Sequence, residues 1–298
     1  MPSLNAAPIP RWKLWTAFAI VYLVWGSTFL AIRVAVRDIP PFTLAALRFF
    51  SAGLMLYALG QWRAPVRPTR RQWRDAFVVG ALLTLTGNAI VVWAEQVLPS
   101  GLAALMVGTV PLWMVCAPAL VSRRYHPTRL KLAGTLIGFS GVFILVPFSK
   151  EAFWNADSTA CIAIVAASLS WTLGTLYARR AAHPKNETVT AGMEMIAGGS
   201  LLIFTSGLRG EWRSFHPVVV PTAAWASLAY LIVFGSVLAF SAYRWLATRV
   251  STAQLATYAY VNPVVAVLLG WLCLGEPFTL RLLMGTAVIV GGVVLTSV

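Results

Sequence analysis

The chain has 298 residues, of which 59% are apolar and 11% charged, less than half of the roughly 25% charged residues of an ordinary soluble domain. So few polar side chains could not cover a water-facing sphere of this length, which excludes a soluble enzyme, and a mean hydropathy of +0.76 excludes intrinsic disorder. The net charge of +14 comes from 19 Arg and 4 Lys set almost entirely in short gaps between apolar runs, so the expected partner is a lipid bilayer and not nucleic acid.

Apolar stretches of about 20 residues cross ~30 Å of hydrocarbon at 1.5 Å per residue. They occur at 14–35, 42–62, 76–95, 101–122 and 129–147, and again at 159–179, 188–207, 222–245, 252–273 and 280–297. The expected fold class is an all-α polytopic membrane protein with ten transmembrane helices. The first run is longer than a signal-peptide core, carries Trp25 and Arg33, and lacks a small-residue cleavage pattern, so it reads as a span. Pro99-Ser100 supplies a break between the third and fourth spans. No gap exceeds about 15 residues, which leaves no room for a separate soluble domain.

Basic residues are unevenly divided between the two sides. The N-terminus and the even-numbered gaps hold 16, including Arg63, Arg67, Arg70, Arg71, Arg74, Arg123, Arg124, Arg179 and Arg180. The odd-numbered gaps hold five: Arg37, Lys150, Arg209, Arg213 and Arg281. That excess places both termini in the cytoplasm.

The chain also repeats itself. A shift of 146 lays Trp25 on Trp171, Arg33 on Arg179, Arg48 on Glu194 and Gly53 on Gly199. A shift near 151 lays Gly134-Thr135 on Gly285-Thr286 and Gly141 on Gly292, and Pro111 meets Pro263 at 152. The halves, 1–150 and 151–298, hold five spans each and must enter the membrane from opposite sides. Inverted repeats of this kind mark secondary transporters, with a binding site near the midplane. The bland explanation is chance similarity among apolar segments. Pro111 and Pro263 read either as packed kinks or as helix breaks, hinges beside a cavity.

Charges inside a span cost at least ~2.5–3.5 kcal/mol at the bilayer centre and need a partner, water or a task. Four qualify: Arg33, Arg48, Glu95 and Glu194. Arg48 and Glu194 are repeat mates of opposite sign, but depth places them ~10 Å apart along the membrane normal, at 1.5 Å per residue. Arg33, Arg48 and Glu95 form an outer network, with Asn88 two turns before Glu95 on the same helix face. The repeat mate of Glu95 falls near Thr248, which leaves this acid without a symmetric twin. Glu194, in the inner half, has Arg179 and Arg180 as candidate partners. Each acid either neutralises an arginine or takes a substrate amine or a proton, so Glu95 and Glu194 are the proton-coupling candidates.

Trp25 and Trp171 are mid-span beside the small residues Gly26-Ser27 and Thr172-Gly174, and with Trp93, Tyr243, Tyr258 and Tyr260 they serve either cavity lining or helix packing. Trp12, Trp15, Trp73 and Trp113 read as headgroup-level aromatics. His126, His183 and His216 all lie in gaps, and Cys116, Cys161 and Cys273 lie in apolar runs without ligand spacing. No metal site, no cofactor and no ATP-binding loop is therefore expected. The Asn186-Glu187-Thr188 sequon falls in a cytoplasmic gap, where it carries no meaning.

These residues point to a family. Trp25-Gly-Ser-Thr28, Leu47-Arg48-Phe49, Gly87-Asn88, Ala94-Glu95, Pro99-Ser-Gly-Leu-Ala-Ala104, Ser170-Trp171, Glu194-Met195 and Phe234-Gly-Ser236 lead to the most specific run, Tyr258-Ala-Tyr-Val-Asn-Pro263 to Gly270 with Gly275-Glu276-Pro277. Over essentially its whole length the chain resembles the EamA branch of the drug/metabolite transporter superfamily, most closely its bacterial YedA-like exporters. The resemblance implies a bacterial inner-membrane protein with an inverted five-plus-five fold and a central cavity lined mainly by the first four helices of each half. It implies an exporter or exchanger of small metabolites, amino-acid-like compounds or drugs, and a structural role for Glu276.

The expected function is thus a secondary transporter of a small-molecule solute, working by alternating access. Its candidate cavity residues are Trp25, Thr28, Arg48, Asn88, Glu95, Trp171, Glu194, Tyr243, Tyr258 and Asn262. The alternatives are a facilitative channel and an intramembrane enzyme. The enzyme needs reactive groups converging at one depth, and the histidine inventory argues against it.

Overall fold

The computed structural model describes residues 10–98, 103, 106–121, 127–145, 157–274 and 280–297. The Pro99-Ser100 break, Arg123, Arg124, His126, Lys150 and the Gly275-Glu276-Pro277 turn lie outside the described residues. Among the described residues all regular structure is helical. The principal helices are α1 (Arg11–Ala35), α2 (Pro41–Arg63), α3 (Arg70–Ala94), α4 (Val110–Val121), α5 (Arg129–Leu145), α6 (Ser158–Ala178), α7 (Glu187–Leu208), α8 (Thr222–Ala247), α9 (Tyr258–Leu274) and α10 (Leu280–Ser297). Short helical turns at Glu211–Ser214 and Thr252–Ala256 precede α8 and α9.

Six of these, α1, α2, α3, α6, α7 and α8, are long and apolar enough to cross a membrane. Their sides are patterned for lipid. Leu23, Leu54, Ile162, Phe204 and Leu208 are exposed, while Thr28, Thr84, Arg48, Ser168, Thr172, Glu194 and Arg244 are buried between helices. The helix starts are set by local chemistry. Thr69 and Gln72 form a capping box at α3, Asp157 caps α6, and Pro40-Pro41 opens α2. The Glu211 carboxylate also accepts the Thr43 backbone N–H at 2.8 Å, so it satisfies an orphan donor in the first turn of α2.

Repeat mates pack on one another. Helices α2 and α7 run antiparallel, and each offers glycine to the other. A methyl group added at Gly53 would lie 2.6 Å from the Ile196 nitrogen, and one added at Gly199 would lie 2.7 Å from the Phe50 nitrogen. Gly53 and Gly199 are 146 apart, as are Phe50 and Ile196, so the two contacts exchange under the repeat shift. Helices α5 and α10 meet in the same antiparallel way, Gly138 against Gly292 and Gly141 against Ile289.

Two further features recur in both halves. The third helix of each half contains a π-helical segment, Ala81–Ala89 in α3 and Leu231–Leu238 in α8. Such segments interrupt the regular ladder and re-aim side chains. The approach to the fourth helix is also broken in each half, by turn residues at Gly108-Thr109 before α4 and at Thr257 before α9. Pro111 stands two residues after the first of these turns. It occupies the first turn of α4, where a missing N–H costs nothing, whereas Pro263 lies inside α9 and Pro118 inside α4.

Candidate functional site

The π segments bring the two halves together at the tryptophans. Trp25 Nε1 donates to the Gly235 carbonyl in the α8 segment at 3.0 Å. Trp171 packs over Gly87 in the α3 segment, where an added methyl would lie 3.1 Å from its ring. First helix of one half therefore meets third helix of the other, twice. Trp171 Nε1 donates to the Tyr243 hydroxyl at 3.0 Å, and that hydroxyl meets the Thr175 hydroxyl at 2.6 Å. Thr175 already donates to the Trp171 carbonyl, so Tyr243 is the donor in the shorter bond. Trp25, Trp171, Tyr243 and Tyr258 form one aromatic cluster with ring centroids 4.9 to 5.7 Å apart.

Above this cluster lies a cavity of about 80 Å³. It brings together Trp25, Thr28, Arg48, Asn88, Glu95, Trp171, Tyr258 and Asn262 of the residues singled out from the sequence. Tyr243 and Glu194 do not line it. Tyr243 stands behind Trp25 and Trp171 as their support, and Glu194 is elsewhere. Glu95 also borders a second hollow of about 550 Å³ with Arg33, Arg37 and Gln96, at the end of the bundle marked by Asp38.

The cavity walls hold polar atoms whose capacity is unused. Arg48 Nε donates to Ser236 Oγ at 2.9 Å and its guanidinium lies 4.8 Å over the Phe49 ring, yet its Nη1 has no hydrogen-bond partner. Both Glu95 oxygens, Asn88 Oδ1 and Asn262 Oδ1 are likewise buried and unpaired. Among the described residues no carboxylate oxygen lies within 4.0 Å of the Arg48 guanidinium. A buried polar group without a partner costs ~1–3 kcal/mol, more when charged. Five such atoms facing one hollow are a set of groups waiting for a polar guest.

Glu194 has a partner other than the arginines weighed for it from the sequence, and its distance from Arg48 agrees with their difference in depth. It pairs neither with Arg48 nor with Arg179 or Arg180 but with Arg244 of α8, at 3.0 Å, both side chains being at least nine-tenths buried. Arg179 instead donates to the Val250 carbonyl. Arg244 was missed because it stands at the end of an apolar run and reads as an orienting gap charge. The signal that identifies it is its spacing. It lies six residues beyond the α8 π segment, as Glu95 lies six beyond that of α3. Counted from the ends of the π segments, Arg244 stands where Glu95 does, four residues before Thr248, and carries the opposite charge. Ser236, which holds Arg48, entered the sequence reading only as part of a family motif, and Ser168 and Phe240 are among the cavity-wall residues it did not single out.

The remaining expectations sort by packing. Trp12 and Trp15 are exposed, whereas Trp73 packs at a tilt against Tyr57 and the buried Nε1 of Trp113 has no partner. Tyr260 donates to the Thr135 carbonyl and joins α9 to α5, away from the cavity. Asn186 has a structural task. Its carbonyl oxygen caps α7, and its amide donates to the Gly60 and Ala64 carbonyls at the end of α2.

Comparison with known proteins agrees with this architecture. The pattern of the EamA-like transporter family matches the chain twice, over residues 12–146 and 158–298. An uncharacterized inner membrane transporter of Escherichia coli K12, YedA, is 35% identical over 285 residues, covering 95% of this chain and 90% of that one. The uncharacterized transporter YoaV of Bacillus subtilis is 24% identical over 295 residues, covering 96% and 97%. A solved crystal structure of 24% identity superposes with a TM-score of 0.73 over 96% of both chains and shares the fold. Two family matches on two halves that pack as repeat mates, together with the 35% identity, show that the chain belongs to the EamA-like transporter family and is an inner-membrane transporter.

Proposed function

We propose that the chain is a secondary transporter, an exporter or exchanger of small metabolites, amino-acid-like compounds or drugs, working by alternating access. In this reading ten helices form an inverted five-plus-five repeat with both termini in the cytoplasm. The cytoplasmic side is then the end marked by Glu187, and the Asp38 end faces outward. The carrying observation is the set of unpaired polar groups on Arg48, Asn88, Glu95 and Asn262, drawn from α2, α3, the turn after α3, and α9, around one aromatic-walled cavity between the halves. A solute with charged or hydrogen-bonding groups would complete them, and the tryptophan and tyrosine rings would cover its apolar part.

The cavity, of about 80 Å³, shares Glu95 with the hollow of about 550 Å³ at the Asp38 end, which supports approach of a solute from that end. Of the two acids proposed for proton coupling, Glu95 is the better placed, because it lines the cavity, whereas Glu194, ion-paired with Arg244 but with neither oxygen hydrogen-bonded, lies off it.

The test is a thermal-shift screen of the purified protein against amino acids, nucleosides, sugars and cationic drugs, followed by counterflow in proteoliposomes. A hit should be lost in Arg48→Ala and Glu95→Ala, and unlabelled solute on the far side should accelerate uptake. Binding that survives both substitutions would remove the cavity from the mechanism, and absence of trans-stimulation would make the protein a pore.

A further inference from the structure

Glu194 and Arg244 form a closed charge pair, while their counterparts in the other half, Arg48 and Glu95, stand apart. The correspondence rests on three observations. Arg48 and Glu194 are 146 apart, each on the second helix of its half. Glu95 and Arg244 each lie six residues beyond a π segment on the third helix. Finally, Arg33 is a charged neighbour of Glu95, and its repeat mate Arg179 is a charged neighbour of Arg244. Each half thus has an acid and a base linking its second and third helices, with the signs exchanged. At the Glu187 end the two meet at 3.0 Å, and at the Asp38 end they are more than 4.0 Å apart with Glu95 bordering the larger hollow.

The closed pair sits where it can seal a path. Arg244 follows Tyr243 directly, and Tyr243 is the hydroxyl that holds Trp171 and Thr175 at the base of the cavity. Holding Arg244 on α7 therefore holds the aromatic base in place. Among the described residues Tyr243, His183 and Arg179 are the other titratable or charged groups beside Arg244, and Arg33 is the other one beside Glu95.

Resting on the transport reading above, we propose that the two pairs are alternating latches: Glu194–Arg244 locks the cytoplasmic side in the conformation seen here, and Arg48–Glu95 closes to lock the outer side in the opposite one. In an inverted repeat the second conformation follows when the halves exchange their internal arrangements. The half that now holds its charges apart would then bring them together. Neither latch can be tight in both states, so each contributes a differential interaction that shifts the population.

The experiment reads accessibility and needs no substrate. In a background with Cys116, Cys161 and Cys273 replaced by Ala, Ser168→Cys places a reporter thiol on the cavity wall. Its reaction with a membrane-impermeant methanethiosulfonate is timed in right-side-out and inside-out vesicles. The background should react faster from outside. Glu194→Gln should slow outside labelling and speed cytoplasmic labelling by at least about tenfold each, because a broken buried pair shifts the equilibrium strongly. Glu95→Gln should do the reverse, and exchanging the charges with Glu194→Arg and Arg244→Glu should restore the background pattern.

Rates within twofold of the background in Glu194→Gln overturn the latch while leaving the cavity on a transport path. Should that variant fail to insert, Glu95→Gln decides, and unchanged cytoplasmic labelling overturns the proposal. A reporter that reacts from neither side in any variant overturns the transport reading itself, and the latches with it.

Discussion

Arg48 and Glu194 hold the same place on α2 and α7, 146 residues apart, yet only Glu194 has an ion partner among the described residues, Arg244 at 3.0 Å. The two halves are therefore not equivalent copies in this conformation. Their frames match, down to the glycine contacts between α2 and α7 and the π segments in α3 and α8, while their charges are arranged differently. A shared frame with unequal charge pairing is what allows one end of the bundle to be tighter than the other.

The Glu194–Arg244 pair should show strong coupling in stability measurements. Both side chains are buried, so removing one leaves an uncompensated charge. Arg244→Gln is expected to destabilise the protein by about 3–5 kcal/mol, whereas Glu194→Gln combined with Arg244→Gln should cost less than Arg244→Gln alone. Denaturant unfolding in detergent micelles checks this as a double-mutant cycle. Additive losses would mean that the two charges do not interact.

The α2–α7 contact gives a symmetry test. Valine at Gly53 or at Gly199 places carbon against the partner's backbone, which a side-chain rotation cannot relieve. Each substitution should cost about 1–3 kcal/mol or more through overpacking, and the two losses should be similar because the contacts are repeat mates. Thermal unfolding of the two variants side by side measures it. A large loss at one glycine with none at the other would contradict the exchange of contacts.

Much of this was legible in the sequence because lipid leaves it little freedom. Runs of about 20 apolar residues become helices, since no other local structure satisfies the backbone in hydrocarbon. Depth alone made Arg48 and Glu95 conspicuous, and matched tryptophans located the meeting of the halves. What the sequence did not reveal was pairing. Arg244 is one residue from the edge of an apolar run, and edges in sequence are not edges in space once a π segment has altered the helix register. The run 101–122 is likewise continuous in hydropathy but contains a turn at Gly108-Thr109, two residues before Pro111.

Asn186 joins two helices through opposite ends of one amide, and its substitutions should separate those tasks. Asn186→Ala removes both the cap of α7 and the donor to the last carbonyls of α2, for a loss of about 1–2 kcal/mol. Asn186→Asp keeps the acceptor for Thr188 and Val189 but presents no donor to Gly60 and Ala64. Hydrogen exchange should then show faster opening in both segments for Asn186→Ala, and only at the end of α2 for Asn186→Asp. Faster exchange at residues 187–190 in the aspartate variant would overturn the division.

His183 supplies the pH dependence. It lies between α6 and α7, outside the spans, and its imidazole is held below the ordinary value of about 6.5 first by burial and then by the positive charge of Arg244. A hydrogen bond with the Ala178 carbonyl and the nearby Asp75 act in the opposite direction without cancelling the shift. The unfolded chain therefore binds the proton more readily than the folded one between about 6.5 and the lowered folded value. Stability contributed by the neutral imidazole is present above about pH 6.5 and falls as the pH drops through that window. Equilibrium unfolding measured from pH 7.5 to pH 5 should show this loss, and His183→Gln should reduce its slope because the variant has no proton to take up there. An unchanged slope in His183→Gln would assign the acid sensitivity to another group.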